Sequence, residues 1–237
     1  MDLLRAVMVG PHGTPYHDGL FFFDLQFPGD YPHIPPRAHY HSGGLRLNPN
    51  LYACGRVCLS LLGTWPGKEC EQWDPKKSTM LQVLVSIQAL ILNEKPYFNE
   101  PGFERAANTN HGEKSSLAYN ETAFLYSCRT MLYSLRRPPK HFEDYVAGHF
   151  RTRGHAILVA CRAYLDNAQV GTAVEGYKGQ NEAGSSKGCS KDFKRQLKQL
   201  FEDLLMEFTV KGANCKEFLS QKVKVGDATA LPKKEDN

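Results

Sequence analysis

Two side chains in the first third of the chain have types and a spacing suited to acyl transfer. Asn50 and Cys58 lie eight positions apart in the segment LNPNLYACGRVCLSLLGTW, residues 47–65. A cysteine thiolate is a strong nucleophile, and its thioester keeps an acyl group reactive. An amide donor at the carbonyl oxygen stabilises the negative charge that develops when an amine attacks. The pair therefore predicts an acyl-transfer site with the Cys58 sulfur at the surface of a groove. Asn50 would either donate to that oxygen or hold the loop in shape.

The residues around this pair predict how it is positioned. Asn48-Pro49-Asn50 is typical of a turn, because Pro fixes φ and Asn bonds to nearby backbone groups. Gly55 allows a second bend, since glycine accepts a positive φ without steric cost. The apolar residues 57–62 are then expected to be buried. A lone cysteine in an apolar run is usually a small buried hydrophobe, so the spacing alone leaves both interpretations of Cys58 open.

Composition excludes several classes of protein. The 237 residues suit one domain with an extension or two small domains, and a formal charge of +4 does not suggest a nucleic-acid binder. The seven cysteines, together with a start unlike a secretory leader, indicate reduced thiols in a cytosolic or nuclear setting. We expect no metal, because no second Cys/His pair has zinc-ligand spacing. We also expect no membrane span, because no apolar run approaches the ~20 residues required.

Hydrophobic patterns predict a small sheet followed by helices. Residues 3–9, 20–27 and 37–41 are predicted to form strands, with an irregular proline-rich stretch at 28–36. Residues 78–93 are predicted to form a helix that is apolar nearly all round and therefore buried, starting at a Thr79/Gln82 capping box. Asn120 is predicted to cap a later helix that stops before Pro138.

The second half of the chain is predicted to add further helices. Residues 142–150 and 155–166 form two shorter ones. After a linker rich in Gly and Ser, an amphipathic helix begins at residue 191. That helix either packs back on the preceding domain or docks a partner.

Several ordered motifs carry a family resemblance. Asn50 and Cys58 resemble the active-site signature of ubiquitin-conjugating enzymes, in which His-Pro-Asn is followed eight residues after the Asn by the thioester-forming Cys. Residues 27–36 resemble the FP-x-x-YP-x-x-PP run of that family, and Trp73-Asp74-Pro75 resembles its W-[ST]-P loop. The amino-acid sequence of these segments is most similar to the large subfamily that contains plant phosphate-homeostasis conjugating enzymes and animal hybrid conjugating-enzyme/ligases.

The resemblance implies an α+β fold of the ubiquitin-conjugating-enzyme type, with an antiparallel meander sheet packed against helices and extra C-terminal helices. The predicted units are a catalytic core at 1–137, a helical extension at 138–169, a flexible linker at 170–190, a C-terminal amphipathic helix at 191–225 and a disordered tail at 226–237.

The resemblance also implies an activity and partners. Cys58 would accept ubiquitin as a thioester from the ubiquitin-activating enzyme and pass it to a substrate lysine or a ubiquitin ligase. No cofactor is implied, because ATP is used by the upstream activating enzyme. The implied site residues are catalytic (Cys58, Asn50, Glu100, Ser60), loop-shaping (Asn48, Pro49) and ligase-contacting (His33, Trp73, Pro75).

Some of these assignments have alternatives. Glu100 could help place the incoming lysine or be an exposed loop acid, Ser60 cannot act as a base, and Trp73 could be plain core. Asn48 stands where the family usually has His, and residues 63–72 form a longer link than usual, either a solvated loop or a selector of substrates or ligases.

The start of the chain is the main departure from the family, whose members carry a helix before the first strand. We expect either a truncated product or later helices covering the exposed surface. The alternative function is a catalytically impaired ubiquitin-binding or scaffold module. A cysteine hydrolase is disfavoured because no Cys-His pair has a supporting motif.

Overall fold

The computed structural model describes residues 3–172 and 188–220. Three strands, β1 (Leu3–Val9), β2 (Leu20–Gln26) and β3 (Arg37–Tyr40), form an antiparallel sheet in the order β1-β2-β3. The register pairs Val9 with Leu20 and Phe23 with Tyr40. The strand order and register confirm the predicted antiparallel meander. The chain reverses between strands because the connecting segments are rich in turn residues.

Within the described ranges, four α-helices of at least 7 residues follow the sheet: α1 (Met80–Ser86), α2 (Asn110–Arg136), α3 (Glu143–Leu165) and α4 (Lys191–Val210). A short helical segment at 216–220 comes after α4. A π-helical turn at Ile87–Ile91 continues α1. Short 3-10 turns lie at Ser60–Leu62, Glu69–Glu71, Pro96–Asn99 and Phe103–Ala106.

The sheet separates two hydrophobic cores. Side chains alternate between the faces of a strand, so Phe21 and Phe23 of β2 enter one core, whereas Leu20 and Phe22 enter the other. The first core contains the inward face of α1 and the apolar residues around Cys58. The second is built largely by α2, α3 and α4. The helices that follow the sheet thus cover β2 on the face of Leu20, while Leu3 on β1 stays exposed.

The helix after the active-site segment differs from the prediction. Residues 78–93 are neither one regular α-helix nor buried all round: Val83 and Ile87 are buried, but Leu81 is 69% and Leu90 61% exposed. The core reaches this helix from one side only, so its outward apolar residues face solvent. The capping box at Thr79 is confirmed, since its hydroxyl accepts from the backbone N–H of Gln82.

The start of α2 was also predicted wrongly. The helix begins ten residues before Asn120, at Asn110, and its N-cap is Thr109, whose hydroxyl accepts from the N–H of Gly112. The early turns carry few apolar residues, so the periodicity did not reveal them. Asn120 lies inside the helix, where its amide donates to the carbonyl of Glu94 at 2.9 Å.

The two short helices predicted at 142–150 and 155–166 are one continuous helix, α3. Gly154 lies between the two predicted segments and is a packing residue. A Cβ at this position would come within 2.9 Å of the Phe208 ring and 3.1 Å of the Ala213 side chain. Glycine therefore lets α3 approach α4 and the residues that follow it.

A buried polar cluster ties α3 to the turn between β1 and β2. The His17 ring lies 2.9 Å from the Asp18 carboxylate on one side and 2.9 Å from the Tyr164 hydroxyl on the other. Arg153 donates to Asp18 at 2.8 Å. Burial alone would raise the pKa of Asp18, but the bonds from His17 and Arg153 outweigh it and the pKa is lowered.

Helix α4 packs back on the domain, as one of the two interpretations predicted. Its buried stripe contacts α2 and α3 and consists of Phe193, Leu197, Leu200, Leu204, Leu205 and Phe208. Arg136 of α2 adds an ion pair to Glu207 at 2.7 Å. The helix ends at Val210 rather than near 225, and Gly212 follows with φ of 82°. Most of the predicted linker, at 173–187, and the predicted tail at 226–237 lie outside the described residues.

Truncation of a side chain on α4 should show whether this helix is part of the folding unit. Leu204 is fully buried, so Leu204→Ala should lower the free energy of unfolding by about 2–5 kcal/mol, measured by chemical denaturation. Met206→Ala is the matched control, because Met206 is 63% exposed on the same helix, and it should change stability by less than about 0.5 kcal/mol. Equal effects from both variants would contradict the packing of α4.

Candidate active site

Asn48 fixes the turn at residues 48–50, and its side chain is fully buried. Its amide donates to the Tyr16 hydroxyl at 2.9 Å and to the Ile91 carbonyl at 2.7 Å. Its side-chain oxygen accepts the backbone N–H of Asn50 at 2.8 Å. Asn48 thereby joins the turn to the end of the α1 segment, and this geometry supports the loop-shaping role predicted for it.

Residues 50–58 form a short hairpin. Leu51 bridges to Val57, and the N–H of Tyr52 donates to the carbonyl of Arg56 at 3.0 Å. Gly55 makes the bend with φ of 87°, and a Cβ there would lie about 2.1 Å from the His39 ring. Glycine is therefore required both for the backbone conformation and for the approach to β3.

Asn50 and Cys58 face each other across this hairpin. The N–H of Cys58 donates to the Asn50 carbonyl at 2.9 Å, and the side-chain amide of Asn50 donates to the Cys58 carbonyl at 3.0 Å. These two bonds bring together the two residues that the sequence singled out. They also mean that one N–H of the amide is engaged within the hairpin in this conformation.

The side-chain oxygen of Asn50 is in an unusual position. The Asn50 side chain is buried, and within the described part of the chain this oxygen has no hydrogen-bond partner. A buried polar atom without a partner costs about 1–3 kcal/mol. The orientation of the Asn50 amide is thus not locked from both ends, and a turn of the side chain would release its N–H groups from the Cys58 carbonyl.

Cys58 lines a groove of about 450 Å³ but is itself only 2% exposed. We predicted a sulfur at the groove surface, and the structure corrects that expectation: the residue lies in the wall. The other lining residues are Asn50, Leu59, Ser60, Trp65, Pro66, Leu90, Ile91, Phe98, Asn99, Glu100, Pro101, Gly102 and Glu104. Large reactants can therefore meet the thiol only after the walls part.

Burial and the neighbouring side chains shift the pKa of the Cys58 thiol in opposite directions. Burial raises the pKa of Cys58, while the charges of Arg56 and Arg46 and a hydrogen bond with the Tyr52 side chain lower it, and the net result is a raised pKa. Since the thiolate is the nucleophile, reaction at Cys58 becomes faster as the pH rises towards that pKa.

Glu100 and Ser60 line the same groove, but neither is free. The Glu100 carboxylate accepts from the Arg46 guanidinium at 3.0 Å, and the Ser60 hydroxyl donates to the Pro66 carbonyl at 3.3 Å. The first bond places a cation next to the acid that was predicted to meet a lysine. The second ties the turn after Cys58 to the longer link at 63–72, which is therefore attached to the groove.

His33, Trp73 and Pro75 lie outside this groove lining, on two loops that contact each other. The Trp73 indole donates to the Pro32 carbonyl at 2.7 Å, and its ring centre lies 5.8 Å from that of Tyr31. His33 and Pro75 are exposed. Trp73 is half-buried against the first core, so it both contributes to the core and joins the two loops.

The family model described as ubiquitin-conjugating enzyme matches residues 1–125, which contain the sheet, the hairpin and the groove. The chain belongs to the ubiquitin-conjugating enzyme family. The α+β fold predicted from the resemblance agrees with this membership.

Relatives in two kingdoms support the assignment. The chain is 58% identical to "Probable ubiquitin-conjugating enzyme E2 26" of Arabidopsis thaliana over 90% of this chain and 39% of that protein. It is 56% identical to "Putative ubiquitin-conjugating enzyme E2 38" of the same plant, over 90% of this chain and 65% of the relative. The human "Dual E2 ubiquitin-conjugating enzyme/E3 ubiquitin-protein ligase BIRC6" is 38% identical over 86% of this chain and 4% of its own length. The chain thus spans less than two thirds of each of these relatives.

Across 3–172 and 188–220, the structure contains no group of three or more His, Cys, Asp or Glu side chains arranged to hold a metal ion. In the same ranges no helix has the length and apolar character needed to cross a membrane.

Sequence reasoning missed three residues near the site. Arg46 and Tyr52 stand close to Asn50 in the chain, and Asn99 donates to the carbonyls of Leu90 and Ile91 at 3.2 and 3.3 Å. No local pattern marks Arg46, because its charged partner, Glu100, comes from a distant segment. Asn99 directly precedes Glu100, and that adjacency was the only available signal.

Removal of the Asn48 amide should weaken the whole site. Asn48→Ala removes three hydrogen bonds, to a buried tyrosine hydroxyl and two backbone groups, so the free energy of unfolding should fall by about 2–4 kcal/mol in chemical denaturation. Asn110→Ala, at an exposed position that opens α2, is the control and should change it by less than about 0.5 kcal/mol. A stability loss for Asn48→Ala no larger than that of the control would show that the turn does not depend on this amide.

Proposed function

We propose that this protein accepts ubiquitin as a thioester on Cys58 and transfers it to lysine side chains of substrate proteins. The observation that carries the proposal is the pair of hydrogen bonds between Asn50 and Cys58. These bonds place an amide donor and a thiol on one hairpin, beside one groove. Family membership supplies the class of reaction, and the geometry supplies the residues.

The loading step exchanges one thioester for another. The Cys58 thiolate attacks the carbonyl carbon of ubiquitin's C-terminal glycine, which the activating enzyme holds as a thioester. A new carbon–sulfur bond forms at Cys58, the bond to the activating enzyme breaks, and that enzyme's thiolate leaves. ATP is consumed upstream, so this chain needs no nucleotide for the exchange.

The transfer step forms an amide. A neutral lysine amine attacks the thioester carbonyl, negative charge collects on its oxygen, and the Cys58 sulfur leaves as the carbon–nitrogen bond forms. The proton lost by the amine passes to solvent. Asn50 is the proposed donor to that oxygen, after its amide turns away from the Cys58 carbonyl. A donor at that oxygen lowers the barrier because it stabilises the negative charge that develops there.

The groove must widen for either step. Leu90 and Trp65 line the groove and are not fully buried, so movement of their side chains exposes the sulfur without disturbing the hairpin. In the proposed mechanism the Ser60 hydroxyl holds the wall near Pro66 and takes no part in proton transfer. Glu100 orients the incoming lysine once its ion pair with Arg46 loosens.

The two loops that join at Trp73 are the proposed ligase-contacting surface. His33 and Pro75 are exposed there, and the indole bond to Pro32 keeps the loops in a fixed relation. The proposed partners are therefore ubiquitin, the activating enzyme, a ubiquitin ligase and protein substrates with accessible lysines.

A charging assay tests the proposal. Incubation with activating enzyme, ubiquitin and ATP should give an adduct that reductant cleaves, and Cys58→Ser should convert it into an ester that survives reductant. Cys54→Ser, which changes an exposed cysteine in the same hairpin, should still form the reductant-sensitive adduct. Absence of an adduct with the unaltered protein, where a family member charges under the same conditions, would contradict the proposal and indicate a catalytically impaired form.

Asn50→Ala should separate the two steps. If the amide acts at the transfer oxygen, loading should stay within a fewfold of the unaltered protein, while transfer to free lysine should slow by about a hundredfold, measured by single-turnover discharge. Asn50→Asp, which keeps the size but loses the N–H donors, should also slow transfer. Equal losses in loading and transfer would assign Asn50 to holding the loop instead.

A further inference from the structure

One guanidinium connects three separate segments around the groove. Arg46 donates to the Glu100 carboxylate at 3.0 Å and to the Pro49 carbonyl at 3.4 Å. Its central carbon also lies 4.7 Å from the centre of the Tyr52 ring, a distance typical of a cation–π contact. Arg46 therefore joins the turn before Asn50, the loop that carries Glu100 and the hairpin that carries Cys58.

The position of Arg46 relative to the groove is informative. Glu100 is part of the groove lining, whereas Arg46 is not, so the guanidinium holds the carboxylate from outside the groove lining. Tyr52, whose ring contacts Arg46, has a side chain that lowers the pKa of Cys58. Along the hairpin Tyr52 and Cys58 share one face, since alternate residues point the same way.

The groups around the thiol can be named from each neighbouring segment. Arg56, Tyr52 and Cys54 of the hairpin and Arg46 of the preceding segment influence the pKa of Cys58. The carboxylates of Glu100 and Glu104 line the same groove as Cys58. A carboxylate in the wall disfavours a thiolate in the same groove, because like charges repel. Pairing with Arg46 offsets the charge of Glu100.

We infer that Arg46 is a positioning residue of this site: it neutralises and holds Glu100 in the groove wall and keeps Tyr52 against the Cys58 sulfur. The catalytic consequence of this inference rests on the proposed function. Its chemical consequence, that Arg46 favours the thiolate of Cys58, does not.

The inference predicts opposite effects on two reactions. Without Arg46, the uncovered carboxylate of Glu100 hinders formation of the thiolate, so loading slows. The same carboxylate becomes free to attract a lysine ammonium group, so the KM for lysine in the transfer step falls or stays unchanged. A purely structural role for Arg46 would impair both reactions together.

The experiment measures the alkylation rate of Cys58 with iodoacetamide between pH 6 and pH 10, followed site by site with peptide mass spectrometry. At pH 8, Arg46→Met should slow this rate by about three- to tenfold, because thiolate is the reacting species. Glu100→Gln should speed it by about twofold, and the double variant should recover most of the loss. Arg37→Met, at an exposed arginine on β3, is the matched charge control and should leave the rate unchanged.

Two results would overturn the inference: a pH profile for Arg46→Met that superimposes on that of the unaltered protein, or a double variant as slow as Arg46→Met. If Arg46→Met does not fold, Arg46→Lys and Tyr52→Phe replace it. The lysine should stay within about twofold of the unaltered rate because it keeps the charge, and the phenylalanine should slow alkylation because it lacks the hydroxyl. Unchanged alkylation with Tyr52→Phe would likewise contradict it.

Alkylation needs no ubiquitin, so the two proposals fail separately. A shifted alkylation profile without ubiquitin charging would retain the role of Arg46 and remove the proposed function. Normal ubiquitin charging with an unshifted alkylation profile would retain the proposed function and remove the role of Arg46.

Discussion

The site depends on one buried amide. Asn48 has bonds to a tyrosine hydroxyl, a helix-end carbonyl and the backbone N–H of Asn50, so the turn cannot shift without breaking several bonds in a water-excluded place. That turn sets the start of the hairpin, and the hairpin sets Asn50 opposite Cys58. Where the family usually carries histidine, an asparagine meets the same need for a side chain that can both donate and accept.

The two hydrophobic cores make this local geometry rigid. The core beneath the hairpin buries Leu47, Leu51 and Val57, so the active-site segment is fastened by apolar contacts as well as by hydrogen bonds. The core on the other face of the sheet is filled by α2, α3 and α4. Because β2 contributes to both, the C-terminal helices and the site share one strand, and α4 is integral to the domain.

Sequence periodicity predicted the positions of the strands and helices better than the burial of their side chains. The strands, the capping box at Thr79 and the stripe of α4 followed from local patterns, and the motif spacing located Asn50 and Cys58. Burial depends on which distant segments pack nearby, and no local pattern encodes that. The apolar face at Leu81 was therefore predicted to be buried, and the thiol of Cys58 was predicted to be open.

Long-range charge pairs were equally hidden from the sequence. Glu100 could be matched to a family position, but its partner lies 54 residues earlier in the chain and belongs to no motif. The resting site consequently differs from the predicted one: the acid is paired, the amide is bonded to the Cys58 carbonyl and the sulfur lies in the groove wall. In these three features the candidate reactive groups are held in place by contacts within the domain.

In the proposed site, one hairpin directs both the side chain of residue 58, which receives ubiquitin, and the Asn50 amide towards the carbonyl of ubiquitin's C-terminal glycine. The most direct measurement is a high-resolution structure of the Cys58→Ser protein with ubiquitin attached through the ester. The account predicts that the Asn50 side-chain nitrogen lies about 3 Å from the ester carbonyl oxygen and has left the backbone carbonyl of residue 58. An Asn50 amide still bonded to that backbone carbonyl, with the ester oxygen directed away from it, would contradict the account.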